Sequence, residues 1–289
     1  MYQSMEQLCR EECEKQLPFW KIVQLDDCNE RAKSEDESFE EMKAIYIAMK
    51  DSNKEYDPAR KSNSGLVGGE AQKYREYIDS GKSLVGDFVG RVTEKALRIA
   101  ESNACMKRIV AAPTAGSCGV LPAVLLSIQE EKGFDDIKMT EALYVAAGVG
   151  GVIASRASLS GAQGGCQAEI GAGSAMAAAG LTYLLGGDGS QSANAAALAL
   201  KNLLGLACDP VAGLVEVPCV KRNVIGAVNA VSSAELTMAG ICSKIPADEV
   251  FDAMNAIGKG MSDAIRETAK GGLAATITGQ KIANSLKME

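Results

Sequence analysis

The chain of 289 residues contains no histidine. That absence excludes imidazole acid–base catalysis, hydrolase triads built on a histidine, and zinc sites with two imidazoles. Strand signals are nearly absent as well, and neither a GxGxxG after a strand nor a Walker A run occurs, so the nucleotide-binding folds have no support. A clustered basic surface is also missing. With a formal charge of −7 and a pI near 5.0, the chain lacks the cations that a general nucleic-acid binder needs for phosphate. The N-terminal MYQSMEQLCREECEKQ is charged from its start, so no apolar signal segment is expected.

Long runs of Leu, Ile and Phe are scarce too. Residues 142–155 and 170–187 carry no charge, which invites a membrane reading, but Gly and Ala dominate both, and Arg156, Gln163 and Asp188 interrupt them. Small-residue helices packed inside a soluble protein fit better. At 47% hydrophobic residues the chain can bury a substantial core. Its nine cysteines, an odd number, point to the reducing cytoplasm, where thiols persist and clusters of them serve as metal ligands or redox groups.

Apolar positions recur at helical spacing along most of the chain. Phe39, Met42, Ile45 and Met49 mark an amphipathic helix within an acidic segment, residues 1–55. The stretch 51–70, rich in Asp, Asn, Ser and Gly, reads as a loop and a boundary, with a helical catalytic domain over 56–289. Further helices are expected at 70–80, 84–103, 119–132, 139–155, 170–185, 190–206, 221–242 and 246–269. Ser190 or Ser192 can cap the Ala-rich run, Thr140 stands before another helix, and Pro246 suits a first turn. Gly133, Gly205 and Gly271 lie where helices can stop in a left-handed turn. The predicted fold class is all-α, with minor or no β.

Sulfur then becomes the main source of chemistry. Cys166, Cys208 and Cys219 sit in GGCQAE, ACDP and VPCV, at breaks between apolar helices where Gly or Pro lets backbone approach a bound group. Cys105 and Cys242 fall in helical runs and read as small buried hydrophobes, and Cys9, Cys13 and Cys28 lie in the polar N-terminal region. The spacing of the central three matches neither ferredoxin runs nor paired CxxC zinc sites, so by spacing alone a metal site and packing both stay open.

The surrounding motifs are more specific. SGLVGGEA (64–71), APTAGSCGVLPAV (112–124), GAQGGCQAEIGAGSAMAAAG (161–180), ACDPVAGLVEVPCVKRN (207–223) and KGGLA (270–274) together resemble the iron-sulfur-dependent L-serine dehydratases. The resemblance covers about residues 60–280 and is to the α chain of the two-chain bacterial form. It implies a 4Fe-4S cluster on Cys166, Cys208 and Cys219, with one iron left open as a Lewis acid for serine's hydroxyl, no pyridoxal phosphate, and pyruvate and ammonia as products. It also implies a separate β chain as partner.

Donors for the substrate carboxylate are available in two segments: Ser62, Ser64 and Gly65, and Thr114, Gly116, Ser117 and Gly119. Each reads either as an anion cradle or as an ordinary Gly/Ser turn with a capping hydroxyl. Cys118 reads as structural. For the general base, Lys61, Glu169, Glu216, Lys221 and Lys270 stand beside motif residues and no choice among them follows. Asp209 can cap a helix or orient the loop after Cys208. The rival readings are an electron-transfer or scaffold protein that only carries a cluster, a pyridoxal-phosphate dehydratase, and a helical interaction protein whose cysteines are packing residues.

Overall fold

Among the described residues, apolar spacing and capping residues set thirteen α-helices, and there is no strand. A computed structural model describes residues 2–287. The helices are α1 (Met5–Lys15), α2 (Phe19–Arg31), α3 (Glu35–Lys54), α4 (Glu70–Asp79), α5 (Gly86–Ala104), α6 (Val120–Lys132), α7 (Asp136–Arg156), α8 (Gly161–Gly164), α9 (Ile170–Leu184), α10 (Gly189–Lys201), α11 (Cys219–Met238), α12 (Ala247–Gly260) and α13 (Ile277–Ser285). The all-α class is therefore observed, with one isolated bridge between Cys208 and Arg266.

At the centre lies α9. Its sequence is apolar all round, as a helix surrounded by protein requires, and fourteen of its fifteen residues are buried. Glycine inside a helix costs about 1 kcal/mol relative to alanine, so each one here needs a packing reason. A Cβ on Gly171 would stand 2.8 Å from Leu200, and one on Gly180 would stand 3.2 Å from the Ala142 carbonyl. Close approach to α10 and α7 is that reason. Helices α6 and α11 complete the surround, with α5 packed outside them and α4 on α5.

By length and composition α7 could cross a bilayer, yet its face from Met139 to Ile153 is buried against α9, α2 and α3. The acidic N-terminal segment forms three helices rather than one, because Gln16 and Ala32 adopt left-handed conformations that end α1 and α2. Met5, Leu8, Phe19, Ile22, Tyr46 and Met49 from these helices share one hydrophobic core with α6, α7 and α9.

Several expected boundaries move. Asp188, not Ser190 or Ser192, caps α10, through a capping box with Gln191, and Asp135 rather than Thr140 caps α7. The helix expected to run to 269 stops at Gly260, and residues 261–276 form short 3-10 turns. Gly133 ends α6 in a left-handed turn as expected, whereas Gly271 is extended and Gly272 takes the positive φ of 58°. Cys242 is exposed in a loop beyond α11, not buried in a helix.

Two buried polar side chains brace the loops of interest. Glu101 on α5 accepts hydrogen bonds from the Gly69, Glu70 and Ala71 amides at 2.8–3.1 Å, so a carboxylate meets the positive end of α4 and anchors the SGLVGGEA segment. Gln167 donates to the Met254 carbonyl and accepts from the Gly205 amide, joining the turn of Cys166 to α12 and to the loop after α10.

Candidate functional site

Cys166 opens a short 3-10 turn leading into α9, Cys219 is the first residue of α11, and Cys208 lies in the loop after α10. All three are buried and all nine thiols of the chain are free. The three are close enough to act on one another electrostatically: Cys166 and Cys219 both oppose ionisation of Cys208. Burial pushes the thiols upward, Cys166 to about 11 and Cys219 to about 12, with Cys208 also raised. The Arg222 guanidinium acts against that rise at Cys166 and Cys219. Helix starts also favour thiolates, and Cys219 occupies one.

Cys208 is held by backbone on both sides. Its N–H donates to the Ile265 carbonyl at 2.9 Å, and its own carbonyl accepts from the Glu267 N–H at 2.7 Å. This pairing explains why 261–276 abandons the helix: the segment runs alongside Cys208.

Among the candidate bases the surroundings differ. Glu169 is the carboxylate at the thiols. Its Oε1 accepts from the Thr114 hydroxyl at 2.8 Å, and its Oε2 lies 3.7 Å from the Cys208 sulfur. Burial raises its pKa. Gly161 leaves room for this pair, since a Cβ there would stand 2.7 Å from Glu169 Oε2 and 2.9 Å from Cys208 Sγ. Lys61 donates to the Gly68 carbonyl at 2.6 Å, Lys221 is exposed and paired with Glu70, and Lys270 is exposed. Glu216 is buried and accepts from the Ser62 hydroxyl at 2.8 Å and the Ser64 hydroxyl at 2.5 Å.

The two hydroxyl-bearing turns are thus partly occupied by the protein itself. Ser62 and Ser64 face Glu216, and Gly65 turns the chain at φ 73°, its N–H donating to the Ser62 carbonyl. In the second turn Ser117 is fully buried and forms a capping box with Thr114. Asn223 fixes this turn to α11: its Nδ2 donates to the carbonyls of Gly116 and Cys219, and its Oδ1 accepts from the Gly119 amide. A Cβ on Gly119 would meet the Ala96 carbonyl at 2.6 Å, so glycine lets α6 start directly against α5. Cys118 is buried with its sulfur 3.9 Å from the Ile99 carbonyl, a packing position. Arg222, Asn223, Gly161 and Gln167 are the structural contributors that sequence reasoning missed. The signal for the first two was their place three and four residues after Cys219, on the same helical face.

No group of three or more Cys, Asp or Glu among the described residues is spaced to hold a single metal ion. A polynuclear cluster requires a looser set, because each thiolate binds its own iron. Three buried, mutually interacting thiols, with a cation beside two of them, fit that donor chemistry.

A helical body that gathers three thiols, a carboxylate and a hydroxyl turn at the ends of α9 and α11 belongs to a known class: residues 14–274 match the serine dehydratase alpha chain family, and the chain is a member of it. A Bacillus subtilis (strain 168) protein described as a probable L-serine dehydratase, alpha chain, is 45% identical over 282 residues, 98% of this chain and 94% of its own length. The L-serine dehydratase alpha chain of Peptoniphilus asaccharolyticus is 48% identical over 217 residues, covering 75% of this chain and 74% of its own. L-serine dehydratase TdcG of Escherichia coli K12 is 46% identical over 181 residues, 62% of this chain but 40% of its own length.

Proposed function

We propose that the protein is the catalytic chain of an L-serine dehydratase that converts L-serine to pyruvate and ammonia, with Cys166, Cys208 and Cys219 holding a 4Fe-4S cluster. The convergence of these three buried thiols beside Glu169, in a chain of this family, carries the reading. When bound, the cluster supplies a Lewis-acidic iron that eases departure of the serine hydroxyl. Glu169 then takes the α-proton. It is the only one of the candidate bases set against a ligand thiol, and Thr114 orients it through Oε1. Loss of the α-proton and of hydroxide yields aminoacrylate and water. Tautomerisation to the imine and addition of one water release pyruvate and ammonia, so atoms balance and no electron leaves the site.

The turns at 62–65 and 114–117 offer backbone N–H groups to the substrate carboxylate, while their hydroxyls are committed to Glu216, Glu169 and the Thr114 carbonyl, and Glu216 and Asn223 keep the turns in place. A separate β chain completes the enzyme. The relatives named alpha chain support that assembly, as does the large part of the TdcG protein lying outside the match. Nine free thiols support a cytoplasmic setting.

The test is pyruvate and ammonia formation from L-serine by anaerobically purified protein, alone and with its β chain. Activity is expected to be lost on aeration in the presence of an iron chelator. Turnover that survives that treatment contradicts the proposal. A cluster-bearing protein without dehydratase activity, the electron-transfer reading, would retain iron and form no pyruvate.

A further inference from the structure

Arg222 lies three residues after Cys219 on α11, with its side chain largely buried. One arm of its guanidinium, Nη1, donates to the Ala207 carbonyl at 2.7 Å; the other, Nη2, donates to Asp209 Oδ1 at 2.9 Å. It therefore grips the residues immediately before and after Cys208. Its charge also acts on the Cys166 and Cys219 sulfurs.

Asp209 extends the contact. Its Oδ2 accepts from the Leu273 N–H at 2.8 Å, and a Cβ on Gly272 would stand 2.4 Å from the same oxygen. Gly272 of KGGLA thus lets backbone reach the far side of this carboxylate. Three separate pieces of chain, the start of α11, the Cys208 loop and residues 272–273, meet on one ion pair. Burying such a pair carries a desolvation cost that an apolar pair of the same size avoids, so stability alone is a weak reason to have it here. The planar fork of arginine suits the position because it serves a carbonyl and a carboxylate at once, which a lysine ammonium does less well.

We infer that Arg222 and Asp209 are positioning residues that set the Cys208 loop against Cys166 and Cys219 before any cluster is present, so that the ligand set is preformed and holds its iron tightly. This rests on the cluster reading above for its second half, and on the bare polypeptide for its first.

The experiment uses the full chain with Arg222→Gln, Arg222→Lys and Asp209→Asn, each checked for helical content by circular dichroism. In the iron-free protein, alkylation of individual cysteines by iodoacetamide is followed by mass spectrometry. Cys208 is expected to react faster in Arg222→Gln and Asp209→Asn than in the unaltered chain, with Cys118 unchanged. In protein loaded anaerobically, loss of iron to a chelator is expected to accelerate about 10- to 100-fold, the range typical of groups that orient metal ligands. Arg222→Lys should fall between, since it keeps the charge and loses the fork. Folded variants with unaltered Cys208 reactivity and iron release overturn the inference. Failure of all three variants to fold also overturns it, by assigning the pair to global stability. If the unaltered chain takes up no iron, the cluster reading fails, and the alkylation contrast still decides whether the clamp exists.

Discussion

Two hydroxyl-bearing turns each close on a carboxylate: Ser62 and Ser64 on Glu216, and Thr114 on Glu169. Their local chemistry is alike, but their far sides are not. Glu216 directs one oxygen, Oε2, to both serines of a single turn and sits three residues before Cys219, so it ties residues 62–64 to the start of α11. Glu169 divides its two oxygens between Thr114 and the Cys208 thiol, across the space left by Gly161. A hydroxyl–carboxylate pair thus serves both turns as a structural joint, and the two differ in what the carboxylate's other oxygen faces.

Substitution of the two carboxylates breaks this comparison if it is wrong. Glu169→Gln is expected to lower kcat by about 10²- to 10⁴-fold, the usual contribution of a positioned base, while leaving iron content unchanged. Steady-state kinetics beside an iron assay reads both, and a variant with full turnover removes Glu169 from the mechanism. Glu216→Gln is expected to act through structure. Two serine hydroxyls lose their shared carboxylate acceptor in a buried place, which costs about 1–3 kcal/mol in a urea titration, and KM for serine should rise more than kcat falls. A kcat loss matching that of Glu169→Gln would erase the distinction between the turns.

A carboxylate remote from both turns supplies the baseline. Asp136 accepts from Lys50 at 2.9 Å and from Gln129 at 2.8 Å, and the Lys50 contact is the main reason its pKa lies below the ordinary aspartate value. A depressed folded pKa means stability that is complete above the unfolded value and fades as pH falls through the folded one. For a half-exposed ion pair the amount is about 0.2–1 kcal/mol. Asp136→Asn should therefore lower the urea midpoint slightly at neutral pH and leave it unchanged in strong acid. A difference that persists in acid would assign the loss to packing.

The helical body was legible because amphipathic spacing marks α5 and α12, unbroken small apolar runs mark α7 and α9, and caps or glycines stand near many of the ends. Boundaries slipped where tertiary contact competes with propensity. Gly258, Gly260 and Ser262 give the chain a local opportunity to leave the helix, and Cys208 takes the Ile265 carbonyl and the Glu267 amide as partners beyond it. The cysteines themselves were legible through motif resemblance, not through spacing, since Cys166 and Cys208 are brought together only by the packing of α9 against α10 and α11. The pairing of Thr114 with Glu169, or of Ser62 with Glu216, joins residues 55 and 154 positions apart, and no local pattern encodes such a contact.

The central claim is that Cys166, Cys208 and Cys219 form one ligand set. It is tested most directly by iron and acid-labile sulfide per chain in anaerobically prepared protein, unaltered and as Cys208→Ala and Cys219→Ala. About four irons and four sulfides per unaltered chain are expected, the content of a 4Fe-4S cluster, with loss of both in each variant while helical content is kept. Full iron and sulfide in either variant, or none in the unaltered chain, would contradict it.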